Sequence, residues 1–291
     1  MTGVQTCALP ISLSLVRTLT LATLRLIVTC LAALPNLKQL GITDFHISDF
    51  CRFHDPNQSP LQPRAVLASL TSLCFHGGSD HLESLVAQID TPMLQTLSIT
   101  LRDLIHIPQL PQFISRAEKL KLPIRAIFVF DQQRFLLKLM PSDGFEFATS
   151  GYNSSSGYHD PSSKFRAMDS LCSELSLLLS HVERLDFSCN QLSPSTKKFM
   201  DPMLWLGLFR PFTAVRSLYV SKKVWPRVGP ALQALIGERA TEALPELRTL
   251  FLEEPFEYAT KFIEPFIAAR ELAGHPVSIQ PCITSEFVAE C

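Results

Sequence analysis

Glycine is scarce in this chain of 291 residues and badly placed for phosphate chemistry. Of its 11 glycines, no two stand two, four or five residues apart. That excludes a G-x-G-x-x-G dinucleotide loop, a G-x-S-x-G nucleophile elbow and a Walker A loop. No H-E-x-x-H is present either. The eight cysteines are scattered, with no C-x-x-C pair for a metal or a redox couple. Such thiols read as reduced and mostly buried, in an intracellular protein. Charge of one sign is missing as well: the formal net charge is -1, so no electrostatic footprint for nucleic acid is visible. The apolar stretch 11–34 is broken by Arg17 and Arg25. Each would cost about 2.5–3.5 kcal/mol at a bilayer centre, which argues against a membrane span. A signal peptide needs positive charge ahead of its apolar run, and residues 1–10 carry none.

What the chain does have is a recurring unit. Ala243–Leu252 (ALPELRTLFL) repeats Ala33–Ile42 (ALPNLKQLGI). Both contain a six-residue core with apolar residues at its first, fourth and sixth places. Reading for that core gives copies starting at Val16, Leu37, Leu70, Leu94, Ala117, Val182, Val215 and Leu247. The longest interval, from 117 to 182, is roughly two repeats and carries an insertion or a degenerate copy. In a strand, positions 4 and 6 face inward and positions 3 and 5 face the other way. No single unit buries its own apolar edge, so neighbours must stack.

The pattern resembles the leucine-rich-repeat family across nearly all of the chain. Val182–Leu192 (VERLDFSCNQL) is the fullest copy, with Asn190 and Leu192 where the family's longer motif has Asn and Leu. The resemblance implies an α/β fold: an open leucine-rich-repeat solenoid, with a parallel β-sheet on the concave face and helices on the convex face. A closed (β/α)8 barrel would fit eight strand–helix units, but barrel strands read as continuous apolar runs, and these alternate.

Along the chain, Met1–Ile11 resembles a peptide from translated sequencing-adapter DNA. It is expected to be a non-native leader, with the repeat domain at 12–291. A buried helix is expected at 23–33 and another at 80–89, with Leu82, Leu85, Val86 and Ile89 on one face. Residues 46–63 read as a polar insertion. Pro108 and Pro111 mark a short irregular return. Runs at 124–130 and 135–140 read as two strands outside the plain repeat. The Ser/Gly-rich stretch 149–163 reads as a flexible loop. Helices are expected at 168–181, 226–239 and 258–273, with an edge strand at 275–279.

Three weak constellations carry little chemistry. His76-Gly77-Gly78 follows a strand, as an esterase oxyanion loop does, but without a serine elbow it reads as a tight turn. His46, Cys51 and His54, with His76 or His81, match no metal-site spacing. Glu253 and Glu254 adjoin a strand end, where neighbouring side chains diverge. No catalytic residue, metal or cofactor is expected.

The informative surface is the outward row of positions 3 and 5. It begins small and neutral: Thr18, Thr20, Gln39, Gly41, Ser72, Cys74, Thr96 and Ser98. It turns charged, then aromatic: Lys119, Lys121, Arg184, Asp186, Ser217, Tyr219, Thr249 and Phe251. Those last eight are the candidate protein-binding residues, since aromatics beside arginine make binding hot spots. Coverage of Tyr219 and Phe251 by helices or a C-terminal segment is the equal alternative. Irregular repeats, Leu-Pro lead-ins and the C-terminal run FIAARELAGHPVSI resemble the repeat region of fungal F-box-type proteins. That resemblance implies a protein substrate on the concave face. It also implies a ubiquitin-ligase adaptor held by an N-terminal F-box, which this chain does not contain. A free-standing repeat scaffold is the alternative.

Overall fold

In the computed structural model, the described residues are 11–17, 21–44, 64–101, 107–120, 122–130, 135–140, 145–149, 161–189, 202–236, 239–253 and 257–282. The chain is α/β, and its strands pair mostly in parallel. It divides into two compact units, 1–121 with 144–147 and 122–143 with 148–291.

The first unit contains β1 (Ile11–Arg17), α1 (Leu21–Ala32), β2 (Leu37–Asp44), β3 (Ala65–Val66), β4 (Ser72–Gly77), α2 (Ser79–Gln88), β5 (Ile89–Asp90), β6 (Thr96–Leu101) and α3 (Gln109–Arg116). Its main sheet has the order β1-β2-β4-β6-β9, where β9 is Phe145–Thr149. Strands form where apolar residues alternate, and like positions pair: Leu40 beside Leu73, Leu73 beside Leu97. These leucines, with Ile42, Phe75 and Ile99 two residues on, are buried. The helices α1, α2 and α3 pack in series along the sheet.

Charged side chains tie successive helices together. Pro108 stands at the N-cap of α3 and offers no capping side chain. Glu83 of α2 does the capping instead, accepting the N–H groups of Gln109 (2.7 Å) and Leu110 (3.1 Å). At the other end of α3, Arg116 donates to Asp90 Oδ1 (2.7 Å) and to the Val86 carbonyl (3.1 Å). Glu83→Ala is therefore expected to cost about 1–2 kcal/mol, read by urea denaturation. A loss no larger than that of an exposed control such as Glu118→Ala would show that the cap contributes nothing.

The second unit contains β7 (Arg125–Phe130), β8 (Phe135–Met140), α4 (Pro161–Glu174), α5 (Ser176–Leu179), β10 (Arg184–Cys189), α6 (Pro202–Phe209), β11 (Ser217–Val220), α7 (Trp225–Gln233), β12 (Thr249–Glu253), α8 (Glu257–Leu272) and β13 (Ser278–Cys282). Its sheet runs β13-β12-β11-β10-β7-β8, parallel except for the antiparallel β7–β8 pair. Neither main sheet order closes on itself, which counts against a barrel. Each step repeats one backbone device. The Glu183 carbonyl accepts the N–H groups of Arg216 (2.8 Å) and Ser217 (3.1 Å), and the Arg216 carbonyl accepts those of Arg248 (2.9 Å) and Thr249 (3.0 Å).

Behind this sheet Phe187 stacks on Phe128 (5.0 Å) and meets the edges of Trp205 (5.3 Å) and Phe209 (5.7 Å) from α6. At the end of α8, Arg270 is fully buried. Its Nη1 donates to the carbonyls of Ala240 (3.1 Å) and Leu244 (3.4 Å), and its Nη2 to those of Pro245 (2.9 Å) and Leu247 (3.0 Å). The second Leu-Pro lead-in is thus held from beneath by one guanidinium.

Several sequence expectations are corrected. The first strand is Ile11–Arg17, not 16–21, and Ile11 pairs with Leu37, so the proposed leader reaches into β1. Leu13 and Leu15 stand opposite Leu40 and Ile42, leaving Leu21 to open α1. Nor is Ala117–Leu122 a strand. Leu120 N–H bonds to the Ala117 carbonyl (2.9 Å), closing the same lead-in turn that Leu37 makes to Leu34 (3.1 Å). The strand at this step is β7, where Ala126 and Phe128 pair with Leu185 and Phe187. Pro108 and Pro111 open a helix rather than an irregular return. The supposed flexible loop overlaps β9 at Thr149 and α4 from Pro161. Residues 150–160, and the insertion at 46–63, lie outside the described residues.

Candidate binding surface

Positions 3 and 5 of the six cores that form strands share the sheet face opposite the apolar core. In the first unit Gln39, Ser72 and Thr96 form one cross-strand row, and Ser14, Gly41, Cys74 and Ser98 another. Gln39 and Cys74 are exposed, and Gly41, Ser72, Thr96 and Ser98 half-buried. The face is polar, small and open to solvent. Thr18 and Thr20, expected here, lie outside the described residues. Ser12 and Ser14 of β1 take the places opposite Gln39 and Gly41.

The second unit differs. One row runs Arg125, Arg184, Ser217, Thr249 and Ser278; the next runs Ile127, Asp186, Tyr219, Phe251 and Gln280. Arg184, Ser217, Thr249 and Phe251 are partly exposed. Asp186 and Tyr219 are not: they retain 0% and 2% exposure, so neither presents a free contact. The carboxylate of Asp186 accepts from Arg125 Nε at 2.5 Å and from Arg184 Nε at 3.1 Å. Burial, with Glu253, Cys282 and Asp186 adding to it, pushes the Tyr219 phenol up, and it stays neutral. Lys119 sits in the turn after α3, off the sheet, because the strand begins at Arg125. Lys121 lies outside the described residues.

Sequence reading missed Arg125, Ile127 and Gln280 on this face. The signal for the first two was present: Ala126 and Phe128 alternate as Leu185 and Phe187 do. Asp186→Ala removes the acceptor shared by two guanidinium groups and is expected to cost about 2 kcal/mol. Chemical denaturation reads it, and a midpoint equal to wild type would mean that the ion pairs are idle.

The weaker constellations take structural places. His76 and Gly77 end β4, and Gly78 is the extended N-cap residue of α2. Glu253 accepts the Lys222 N–H at 3.0 Å, tying β12 to the turn after β11. His46, Cys51, His54 and Glu254 lie outside the described residues. Cys172 and Cys189 are buried, Cys282 is intermediate, and Cys30 and Cys74 are exposed, so burial is partial among the described cysteines. Burial pushes the Cys172 thiol up, beyond reach of ionisation near neutrality. Among the described residues, no group of three His, Cys, Asp or Glu could hold a metal, and no helix is long and apolar enough to cross a membrane.

No protein-family model, curated protein or solved structure matches this chain.

Proposed function

We propose that the chain is a non-enzymatic protein-binding module of the leucine-rich-repeat kind, whose open sheet faces take a partner protein. The observation that carries this reading is the face of the first unit's sheet that no described element covers. A parallel sheet ordinarily has both faces packed by helices. Here the alternate residues Gln39 and Cys74 meet solvent, while their neighbours Leu40 and Phe75 are buried. A regular row of small polar groups on a rigid sheet is a surface for recognition. In the second unit, Arg184, Thr249 and Phe251 supply a guanidinium, a hydroxyl and an aromatic ring.

The Leu-Pro lead-ins and the C-terminal run FIAARELAGHPVSI support a narrower reading. In it the chain is the substrate-recognition part of an F-box-like ubiquitin-ligase receptor, acting inside the cell. Reading the coding frame upstream of Met1 tests that part. An F-box there supports the receptor. A frame without one favours a free-standing scaffold. The binding role itself is tested by affinity capture with Gln39, Ser72 and Thr96 changed together to arginine. The variant is expected to lose the partners that wild type retains, while an Arg248→Glu control keeps them. Equal capture by all three proteins would sink the assignment of this face.

A further inference from the structure

The turn after β11 and the first turn of α7 hold several buried polar groups without partners. Residues 221–227 fold on themselves: Trp225 N–H bonds to the Ser221 carbonyl (3.0 Å) and Arg227 N–H to the Val224 carbonyl (3.0 Å). Arg227 is only 9% exposed. Its Nη1 turns back to donate to the Lys223 carbonyl at 3.1 Å, which anchors the guanidinium beside the N-terminal end of α7. Its Nε and Nη2 have no partner. These two nitrogens form one edge of the guanidinium, with N–H bonds side by side, the edge that matches an oxyanion bidentately. Two further buried groups nearby in the chain are also unpartnered: Ser221 Oγ, just after β11, and Trp225 Nε1, at the start of α7. The indole is a pure donor and the hydroxyl can donate. Among the described residues no carboxylate is paired with Arg227, and burial lowers its pKa. Burying a cation without a counter-ion is unfavourable, and an anion held at this edge would relieve it.

We propose that Arg227, Ser221 and Trp225 form a buried receptor for a small oxyanion, a phosphate or a carboxylate, gripped by the Nε/Nη2 edge. The Nε and Nη2 atoms have no solvent contact. The anion therefore enters when the turn opens, and exchange is slow.

The test is equilibrium dialysis of the full chain against inorganic phosphate and, separately, acetate, at constant ionic strength in chloride. Wild type is expected to take up one of them saturably, at one per chain. Phosphate alone identifies a phosphate ligand and acetate alone a carboxylate. Ser221→Ala should bind about tenfold more weakly. Arg227→Met should not bind, and should melt higher than wild type in chloride buffer free of phosphate and carboxylate, because the unpaired buried charge is gone. Trp225→Phe, which keeps the ring and removes the donor, serves if the methionine variant does not fold. Absence of saturable uptake by wild type overturns the proposal. So does uptake unchanged in the variants.

Discussion

Arg270→Ala is expected to destabilise the second unit by about 3–5 kcal/mol. The reason is an imbalance of partners. In the wild type, two terminal nitrogens of one side chain satisfy the carbonyls of Ala240, Leu244, Pro245 and Leu247. Truncation leaves those four acceptors facing a void the size of a guanidinium. The turn is also strained: Leu244 has φ 52°, a left-handed conformation that a branched side chain enters only under constraint. Without Arg270, that conformation loses its bond to the Leu244 carbonyl. Lysine cannot replace the planar fork, so Arg270→Lys should recover less than half of the loss. Both tryptophans, Trp205 and Trp225, are buried in this unit, so their fluorescence in urea reports it selectively. A midpoint shift no larger than that of the exposed Arg248→Ala would contradict the role given to Arg270.

Phe187→Ala carries a comparable expected loss, about 3–5 kcal/mol, from the removed transfer free energy and the cavity left behind. Phe187 is fully buried and touches aromatic rings from two elements: Phe128 on β7, and Trp205 and Phe209 on α6. It therefore joins the sheet to α6. Phe187→Leu keeps most of the volume and should lose about half as much, since the edge-to-face contacts contribute only about 0.5–1.5 kcal/mol each. The Trp205 emission should shift to the red in Phe187→Ala before any denaturant is added. A native-like spectrum and midpoint in that variant would mean that α6 is not held by this cluster.

Much of the strand pattern was legible because alternation and burial agree. Leu40, Leu73, Leu97, Leu185, Leu218 and Leu250 occupy position 4 of their cores, and each is buried on its strand. Register failed in two places for a shared reason. The six residues ending at Leu15, and those ending at Phe128, begin with Pro10 and Pro123. A template that demands Leu, Val or Ala at position 1 passes over them. It then accepts a neighbouring apolar spacing, which starts at the end of β1 in one case and lies in the lead-in turn before β7 in the other. Helix α6 was missed because PMLWLGLF shows no polar face. Trp205, Leu206, Leu208 and Phe209 are all buried, and such a run cannot be told from a strand by periodicity.

The candidate surface was legible in outline and wrong in detail. Asp186 reads as solvent-facing because it stands at position 5 of its core, opposite the apolar positions 4 and 6. Its burial depends on Arg125, which comes from a strand that the sequence reading had left outside the repeat. Tyr219 likewise sits at an outward position yet lies beneath the surface. The neutral first half of the face fared better. Small polar residues need no partner to be stable in water, so alternation alone places Gln39, Ser72 and Cys74.

The central claim is that the sheet face of the first unit is open. The most direct measurement is site-resolved thiol labelling of the native protein with a small alkylating reagent, read by mass spectrometry. Cys74, in the middle of that face, should react within the time taken by the exposed Cys30, while Cys172 and Cys189 stay protected until the chain unfolds. Protection of Cys74 to the level of Cys172 would mean that the face is covered, and the binding role assigned to it would fall.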